Sequence, residues 1–426
     1  MSNVAVIGAG YVGLTTAACL AHIGHNVTCA DIDEDRISQL NNGEIPIHEA
    51  RLPELVQEGL SNQALKFVVG AQRSITTSDF VFLCLPTPQG EDGRADIGAV
   101  LDVIEEIRQL VPPQTIIINK STVPVGTIAL IEAAIQREDV SIVSNPEFLR
   151  EGVAVTDFLQ PDRIVIGATS SEVGERVAAL YDSIDAPIIA VDPASAETIK
   201  YATNSFLATK VSFVNGLAAV CEAVGADIES VTRGLGSDQR IGSRFLQPGP
   251  GWGGSCFPKD MQALVRIATD AGYEFDLLRA VIEANDQQFD RIVHKAELLL
   301  GEELAGKNLA LLGLTFKAHT DDLRNSPALE VAKRLAAKGA KLTAYDPMIT
   351  SPTELPDDIG VAATIEQAMT GSDLALILTE WPEFTRANWA NLIDLMNAPR
   401  VVDARNVLDR KSMVELGYQY DDLGRI

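Results

Sequence analysis

Asn3-Val4-Ala5-Val6-Ile7-Gly8-Ala9-Gly10-Tyr11-Val12-Gly13 is the stretch that decides the fold. Val4 to Ile7 is apolar without polar alternation, as in a strand buried on both faces. Gly8, Gly10 and Gly13 follow at the spacing G-x-G-x-x-G and run into a helical pattern. In such a unit the first glycine permits a tight turn and the second lets backbone approach a pyrophosphate. The third lets helix and strand pack closely. The helix N-terminus adds N–H donors and a positive dipole end. A glycine turn with no ligand has the same spacing. Asp31, however, ends the next strand 18 residues after Gly13, where the ribose hydroxyls of a dinucleotide lie. An acid there repels a 2′-phosphate, and no arginine follows it before Arg36. The cofactor expected is NAD rather than NADP.

Outward from this unit, short β-branched runs alternate with helical patterns: Val4–Ile7, Val27–Ala30, Phe80–Leu85, Thr115–Asn119 and Ser141–Ser144. This alternation predicts βαβ units on a parallel sheet. A second series begins near Gly306 and repeats the first in order. Asn3-Val-Ala-Val-Ile-Gly8 is echoed by Asn308-Leu-Ala-Leu-Leu-Gly313, and Val27-Thr-Cys-Ala-Asp31 by Leu342-Thr-Ala-Tyr-Asp346. The run from Ser78 is echoed from Ser372. Between the halves, Asp192 caps a helix with Pro193 at its first position, and Gly225 stops it. That helix spans about 48 Å. Phe206, Leu207, Val211, Phe213, Val214 and Leu217 lie almost all round its second half, which predicts burial on several sides. The expected fold is α/β: two Rossmann-like doubly wound domains, residues 1–191 and 301–426, joined by a long central helix within a helical domain, 192–300. The same helix is the expected homodimer surface.

Composition narrows the function. With 34 basic and 59 acidic residues among 426, the formal charge is −25. Such a surface repels phosphate backbones, so nucleic acid is not an expected partner. No run of 18 apolar residues occurs, so no membrane span is expected, and the N-terminus lacks a basic n-region. The five cysteines are odd in number and contain no C-x-x-C spacing. Reduced thiols in a cytoplasmic protein fit better than disulfides, and no metal site is expected.

Cys256 stands apart from Cys19, Cys29, Cys84 and Cys221, which fall in apolar strands or helices and read as small core residues. It lies in Gly251-Trp252-Gly253-Gly254-Ser255-Cys256-Phe257-Pro258-Lys259-Asp260, a glycine-rich loop that ends at a helix start. A thiol there, three residues from a lysine, forms thiolate readily. Lys200 and Asn204 are spaced i, i+4, so they share one helical face. That face either holds a developing oxyanion or is simply solvated. Asp260 is either a proton carrier or a first-turn acid complementing the helix dipole.

The chain resembles the UDP-glucose/GDP-mannose dehydrogenase family over nearly its whole length. The resemblance rests on the glycine turn at 8–13, Pro-Thr-Pro at 86–88, K-S-T-V-P-V-G-T at 120–127 and N-P-E-F-L-R-E-G at 145–152. It continues with Lys200 and Asn204, the loop 251–260, and T-F-K…T-D-D-L-R-N-S-P at 315–327. It implies four-electron oxidation of a nucleotide sugar, UDP-glucose to UDP-glucuronate, with two NAD used in succession. Cys256 is then the nucleophile of a thiohemiacetal and a thioester. Lys200 and Asn204 stabilise the oxyanion, Asp260 with Thr122 handles protons through a water, and Glu151 assists hydrolysis. NAD contacts are implied for Gly8, Gly10, Tyr11, Val12, Gly13, Asp31, Arg36, Pro86, Thr87, Thr122, Glu151, Lys259 and Arg324. Sugar-nucleotide contacts are implied for Glu147, Phe148, Leu149, Arg150, Glu151, Lys200, Asn204, Gly253, Cys256, Phe316 and Lys317. Arg240 is implied to reach the sugar of a neighbouring subunit.

The second turn, Gly313-Leu-Thr-Phe-Lys317, has lost the later glycines and is not expected to take a dinucleotide in the same way. Lys317 and Arg324 offer cations for a pyrophosphate, although Asp321 and Asp322 beside them are equally suited as partners. Two departures from the family stand out: Gly216 in the long helix, and Glu49-Ala50-Arg51-Leu52 in place of Glu-Pro-Gly-Leu. Other nucleotide-hexose dehydrogenases, GDP-mannose dehydrogenase included, share this mechanism. A two-electron hydroxyacid-type dehydrogenase and a nucleotide-sugar sensor are the readings from other classes.

Overall fold

The computed structural model describes residues 1–90, 93–349, 351 and 355–425. The chain divides into two units, one of Met1–Thr203 with Gln262–Ala271 and one of Asn204–Met261 with Gly272–Ile426.

In the first unit the strands are β1 (Asn3–Ile7), β2 (Asn26–Asp31), β3 (Leu65–Val69), β4 (Phe80–Leu83), β5 (Ile116–Asn119), β6 (Ser141–Ser144), β7 (Ile164–Gly167) and β8 (Ile188–Val191). They form one sheet in the order β3-β2-β1-β4-β5-β6-β7-β8. Neighbours pair in parallel except β6 with β7. Successive side chains of β1 serve opposite faces. Val4 and Val6 pack in one core with Leu14, Ala18 and Leu55, whereas Ala5 and Ile7 pack in another with Ile104 and Ile131. Both faces are covered by helices, so central strand β4 is apolar at every position and β1 at every position after Asn3. β4 ends at Leu83, two residues short of the expected run, where the chain leaves the sheet toward Pro86.

The second unit has β9 (Asn308–Leu312), β10 (Lys341–Tyr345), β11 (Ile359–Val361), β12 (Leu374–Ile377), β13 (Arg400–Asp403) and β14 (Gln419–Asp422). Their order is β11-β10-β9-β12-β13-β14, all parallel. This is the order of the first six strands of the other sheet, so the internal echo is a repeat of topology. Leu309 and Leu311 serve one core, and Ala310 and Leu312 the other. Ser326 caps the helix Pro327–Ala337 by accepting from the Ala328 amide.

The helix Pro193–Val224 has the expected limits. Asp192 accepts from the Ser195 amide at 2.9 Å, and Gly225 stops the helix with φ 76°. Burial on several sides is not what its second half shows. Val214, Ala218 and Cys221 pack against Ile228, but Phe206, Phe213, Val220 and Val224 are 66%, 59%, 54% and 71% exposed. Residues seven apart return to one side of a helix, so a single apolar stripe faces outward while the other side is buried. This helix is long and apolar enough to cross a membrane by length and composition alone, with mean hydropathy 1.3 over its best window. Its N-terminal third nevertheless holds Glu197, Lys200 and Tyr201 buried in the first unit.

Candidate active site

The glycine turn shows three different constraints at its three glycines. Gly8 has φ 98°, and a Cβ there would stand 2.4 Å from the Cys84 carbonyl oxygen. A Cβ on Gly13 would stand 1.8 Å from the Gly8 oxygen, so helix and strand need hydrogen at that position. Gly10 faces open space, with nothing within 4 Å. It starts the helix Tyr11–His22 without any side-chain cap. An uncapped helix N-terminus beside an open glycine fits a dinucleotide pyrophosphate. At the end of β2, Asp31 accepts the Ala9 amide at 2.7 Å and pairs with the Arg36 guanidinium at 3.1 Å. Arg36 is therefore held by the Asp31 carboxylate.

The motifs that follow converge within the first unit. Thr87 Oγ1 donates to the Thr122 carbonyl at 2.7 Å, joining the segment at Pro86 to the one at Lys120. Ser121 Oγ donates to the Leu85 carbonyl at 2.8 Å. Lys120 is buried, and desolvation lowers its pKa to about 8. Lys200 is also buried, at 3% exposure, with Nζ 2.7 Å from Glu147 Oε1 and 2.8 Å from the Glu147 carbonyl. This removes the solvated-face reading of Lys200. The second Glu147 oxygen accepts the Leu149 amide at 2.6 Å, and the Phe148 ring stacks under the Arg163 guanidinium at 3.8 Å. Arg150 pairs with Asp157 at 2.6 Å. Glu151 follows in the same loop, half-buried.

In the second unit Cys256 directly precedes the helix Phe257–Asp270 and is half-buried, whereas the other four cysteines are buried. Burial pushes the Cys19 and Cys84 thiols up to about 12 and Cys29 well above its ordinary value. They stay protonated and inert. Asp260 is 1% exposed. It accepts from Asn204 Nδ2 at 2.6 Å and from Lys259 Nζ at 2.8 Å. Asp260 is the acid in the first turn of that helix, and the burial of Asn204 beside it removes the solvated-face reading of Asn204. The Asp260 amide bonds the Cys256 carbonyl at 2.9 Å, so the acid sits one helical turn from the thiol.

The segment 315–327 meets the same loop. A Cβ on Gly253 would lie 2.0 Å from the Asn325 carbonyl oxygen, and one on Gly254 would lie 3.0 Å from the Phe316 ring. Lys317 Nζ stands over the Phe316 ring, 5.7 Å from its centroid. Arg324 makes a two-point pair with Asp322, and Arg240 does the same with Asp238 while remaining 88% exposed. The second turn is closed to a dinucleotide by its own acid. Asp346 Oδ2 accepts the amides of Leu314 and Thr315 at 2.7 and 3.0 Å, together with the Thr315 hydroxyl and Trp381 Nε1. A Cβ on Gly313 would lie 2.4 Å from Thr379 Cβ.

Glu49 was not among the expected site residues. Buried Glu49 takes a hydrogen bond from the Tyr11 hydroxyl, which itself accepts the Gly152 amide at 2.9 Å. The segment 49–52 thus ties the glycine turn to the loop of Glu151. Arg51 adopts φ 67° where the family has glycine. The only available signal for Glu49 was its place in a family motif.

The family model for the NAD binding domain of the UDP-glucose/GDP-mannose dehydrogenase family matches residues 2–185. The models for its central domain and its UDP binding domain match 194–287 and 310–410. The chain is 43% identical over 430 residues to UDP-glucose 6-dehydrogenase YwqF of Bacillus subtilis, covering 99% of this chain and 98% of the relative. It is 40% identical over 438 residues to the UDP-glucose 6-dehydrogenase of Pseudomonas aeruginosa, covering 99% and 97%. A solved UDP-glucose dehydrogenase from the archaeon Pyrobaculum islandicum superposes with TM-score 0.92 at 34% identity, covering 100% and 98% of the two chains.

Proposed function

Because the chain belongs to the UDP-glucose/GDP-mannose dehydrogenase family, we propose that it oxidises the primary alcohol of UDP-glucose to the carboxylate of UDP-glucuronate. It is an NAD-dependent oxidoreductase; Gly8, Gly10, Tyr11, Val12, Gly13 and Asp31 would hold NAD, which would supply the hydride acceptor for each of two oxidations. The observation that carries the reading is the buried set at Cys256: Asp260, one turn away, bonded to both Asn204 and Lys259.

The first step removes a hydride from the carbinol carbon and a proton from its oxygen. Asp260, with Thr122 and a water, takes that proton, and Lys200 and Asn204 stabilise the negative oxygen. An aldehyde carbon does not release hydride readily. The Cys256 thiolate adds to it, forming a C–S bond and a thiohemiacetal. Loss of the second hydride leaves a thioester. Water, assisted by Glu151, adds to the acyl carbon, the C–S bond breaks, and the thiolate returns. Glu147 orients Lys200 through the 2.7 Å ion pair. Phe148, Leu149, Arg150, Gly253, Phe316 and Lys317 bind the sugar nucleotide, Pro86, Thr87, Lys259 and Arg324 contact NAD, and Arg240 serves a partner's sugar. Functionally the chain is read as 1–191 for NAD, 192–300 for the thiol loop and long helix, and 301–426 for UDP.

The exposed stripe of the long helix supports a homodimer. Phe206, Phe213 and Val220 alternate along it with Thr209, Gly216 and Ala223 at heptad spacing. Large and small residues in alternation suit knobs-into-holes packing against a second copy. Pairing there makes a soluble cytoplasmic dimer the reading of the apolar helix, with no membrane partner. The deciding experiment measures NADH formed per UDP-glucose consumed, with GDP-mannose in parallel. Two per sugar with UDP-glucose is expected. One per sugar would mean a two-electron dehydrogenase, and faster turnover of GDP-mannose would reassign the substrate.

A further inference from the structure

Cys256 is carried on a loop without regular backbone hydrogen bonds, and the second unit supplies substitutes for them from buried side chains. The Trp252 amide donates to Asn285 Oδ1 at 2.8 Å, and Asn285 Nδ2 donates to the Trp252 carbonyl at 3.0 Å. One carboxamide thus satisfies both main-chain groups of one residue, as a neighbouring strand would. A Cβ on Gly251 would stand 2.9 Å from Asn285 Oδ1 and 2.7 Å from the Phe289 ring, so the loop passes this side chain at a distance only glycine permits. Next along the loop, Gln288 Nε2 donates to the Gly249 carbonyl at 2.8 Å, and the Gly249 amide donates to Asn215 Oδ1 at 2.8 Å. The Trp252 indole donates to Ser212 Oγ at 2.9 Å. On the far side, the Gly254 amide donates to the Asn325 carbonyl at 3.3 Å.

From this geometry we propose that Asn285 is a positioning residue for Cys256. Its carboxamide sets the backbone of Trp252 four residues ahead of the thiol, and so sets where Sγ stands against the start of the helix Phe257–Asp270. The inference rests on Cys256 being the nucleophile. Asn285 touches neither substrate nor thiol. It acts because Trp252 to Cys256 contains two glycines, which hold no conformation on their own. A bidentate contact is the restraint that a loop of this composition otherwise lacks.

The test compares Asn285→Ala and Asn285→Asp with the wild-type full chain, using steady-state kinetics and iodoacetamide alkylation of Cys256 without substrate. For Asn285→Ala, kcat is expected to fall about 100-fold, as for reacting groups misplaced by about 1 Å. KM should change less than about threefold, since an interaction that serves only the transition state is lost. The midpoint of the alkylation rate against pH should rise, because the thiol leaves the helix N-terminus that stabilises thiolate. Asn285→Asp is isosteric and carries the test if Asn285→Ala does not fold. As a carboxylate it can accept from Trp252 but cannot donate, whereas the neutral acid does both. Its kcat relative to wild type at the same pH should therefore recover as pH falls. A ratio flat with pH, an alkylation profile unchanged in both variants, or kcat within about twofold of wild type would overturn the proposal. Wild-type protein that reduces no NAD with UDP-glucose would overturn the assigned reaction alone, since alkylation reads the loop without substrate.

Discussion

Asp31 and Asp346 occupy equivalent positions in two sheets that share the order of six strands, and they treat the turn beside them differently. Asp31 accepts the Ala9 amide with Oδ2. Asp346 accepts the amides of both Leu314 and Thr315, the latter standing where the first turn has Gly10. In the second unit the Asp346 carboxylate and Thr315 occupy the place that stays open at Gly10 in the first. One topology therefore serves NAD in one copy and cannot serve it in the other.

Asp31 also restrains Arg36. In Asp31→Ser the guanidinium is released beside the ribose position, and charge-assisted bonding to a 2′-phosphate becomes available. The NADP to NAD ratio of kcat/KM should rise at least about tenfold, roughly the worth of one charge-assisted hydrogen bond. Steady-state kinetics at saturating nucleotide sugar checks this; an unchanged ratio would mean that Asp31 does not face the ribose.

Cys256→Ser should retain part of the first oxidation and stall before free acid, because a hydroxyl without an adjacent base is a poor nucleophile at neutral pH. Mass spectrometry after long incubation with NAD should find aldehyde or a slowly hydrolysed ester. Cys84→Ser, which buries a hydroxyl, should instead cost about 1–3 kcal/mol of stability and leave the products unchanged. Acid released by Cys256→Ser at the wild-type rate would exclude the thioester route.

Phe213 is 59% exposed and a Cβ on Gly216 would meet nothing within 4 Å, so neither position is packed within the chain alone. Phe213→Asp and Gly216→Leu should each weaken self-association by about 100-fold or more, as central apolar anchors of an interface do. Helical content should stay unchanged. Light scattering across micromolar concentrations reads both effects, and a dimer as tight as wild type in both variants would put the interface elsewhere.

Asp422 is fully buried, and desolvation raises its pKa from 3.8 to about 6 despite Arg425 and Arg410 beside it. The folded state therefore binds this proton more tightly than the unfolded state. The group's stabilising contribution is complete below pH 4 and is lost as pH rises through about 6, a loss on the order of 3 kcal/mol. Asp422→Asn lacks this dependence. Urea unfolding at pH 5 and pH 7.5 should show the variant gaining on wild type at the higher pH; a constant difference would contradict the assignment.

Local pattern sufficed for the glycine turn, the long helix from Pro193 to Val224 and the doubling of the sheet. Each depends on short-range constraints: backbone freedom at Gly8 and the absence of a side chain at Gly13, a cap at Asp192 and a stop at Gly225, and apolar runs that only a two-sided sheet accepts. The family motifs also marked Cys256, Lys200 and Asp260 as a group. Which polar residues would be buried was decided by tertiary structure alone. Lys200, Asn204 and Asp260 have the composition of a solvated face, and only packing brings Glu147 to Lys200 and Asn204 to Asp260. The outward stripe at Phe206 and Phe213 was hidden for the same reason: an apolar residue carries no mark of whether its partner is its own chain or another. Hydrophobicity and capping act over a few residues and are written in order along the chain. The pairing of buried charges and the grip of Asn285 on Trp252 depend on residues 33 or more positions apart, and only the folded backbone brings them within hydrogen-bond distance.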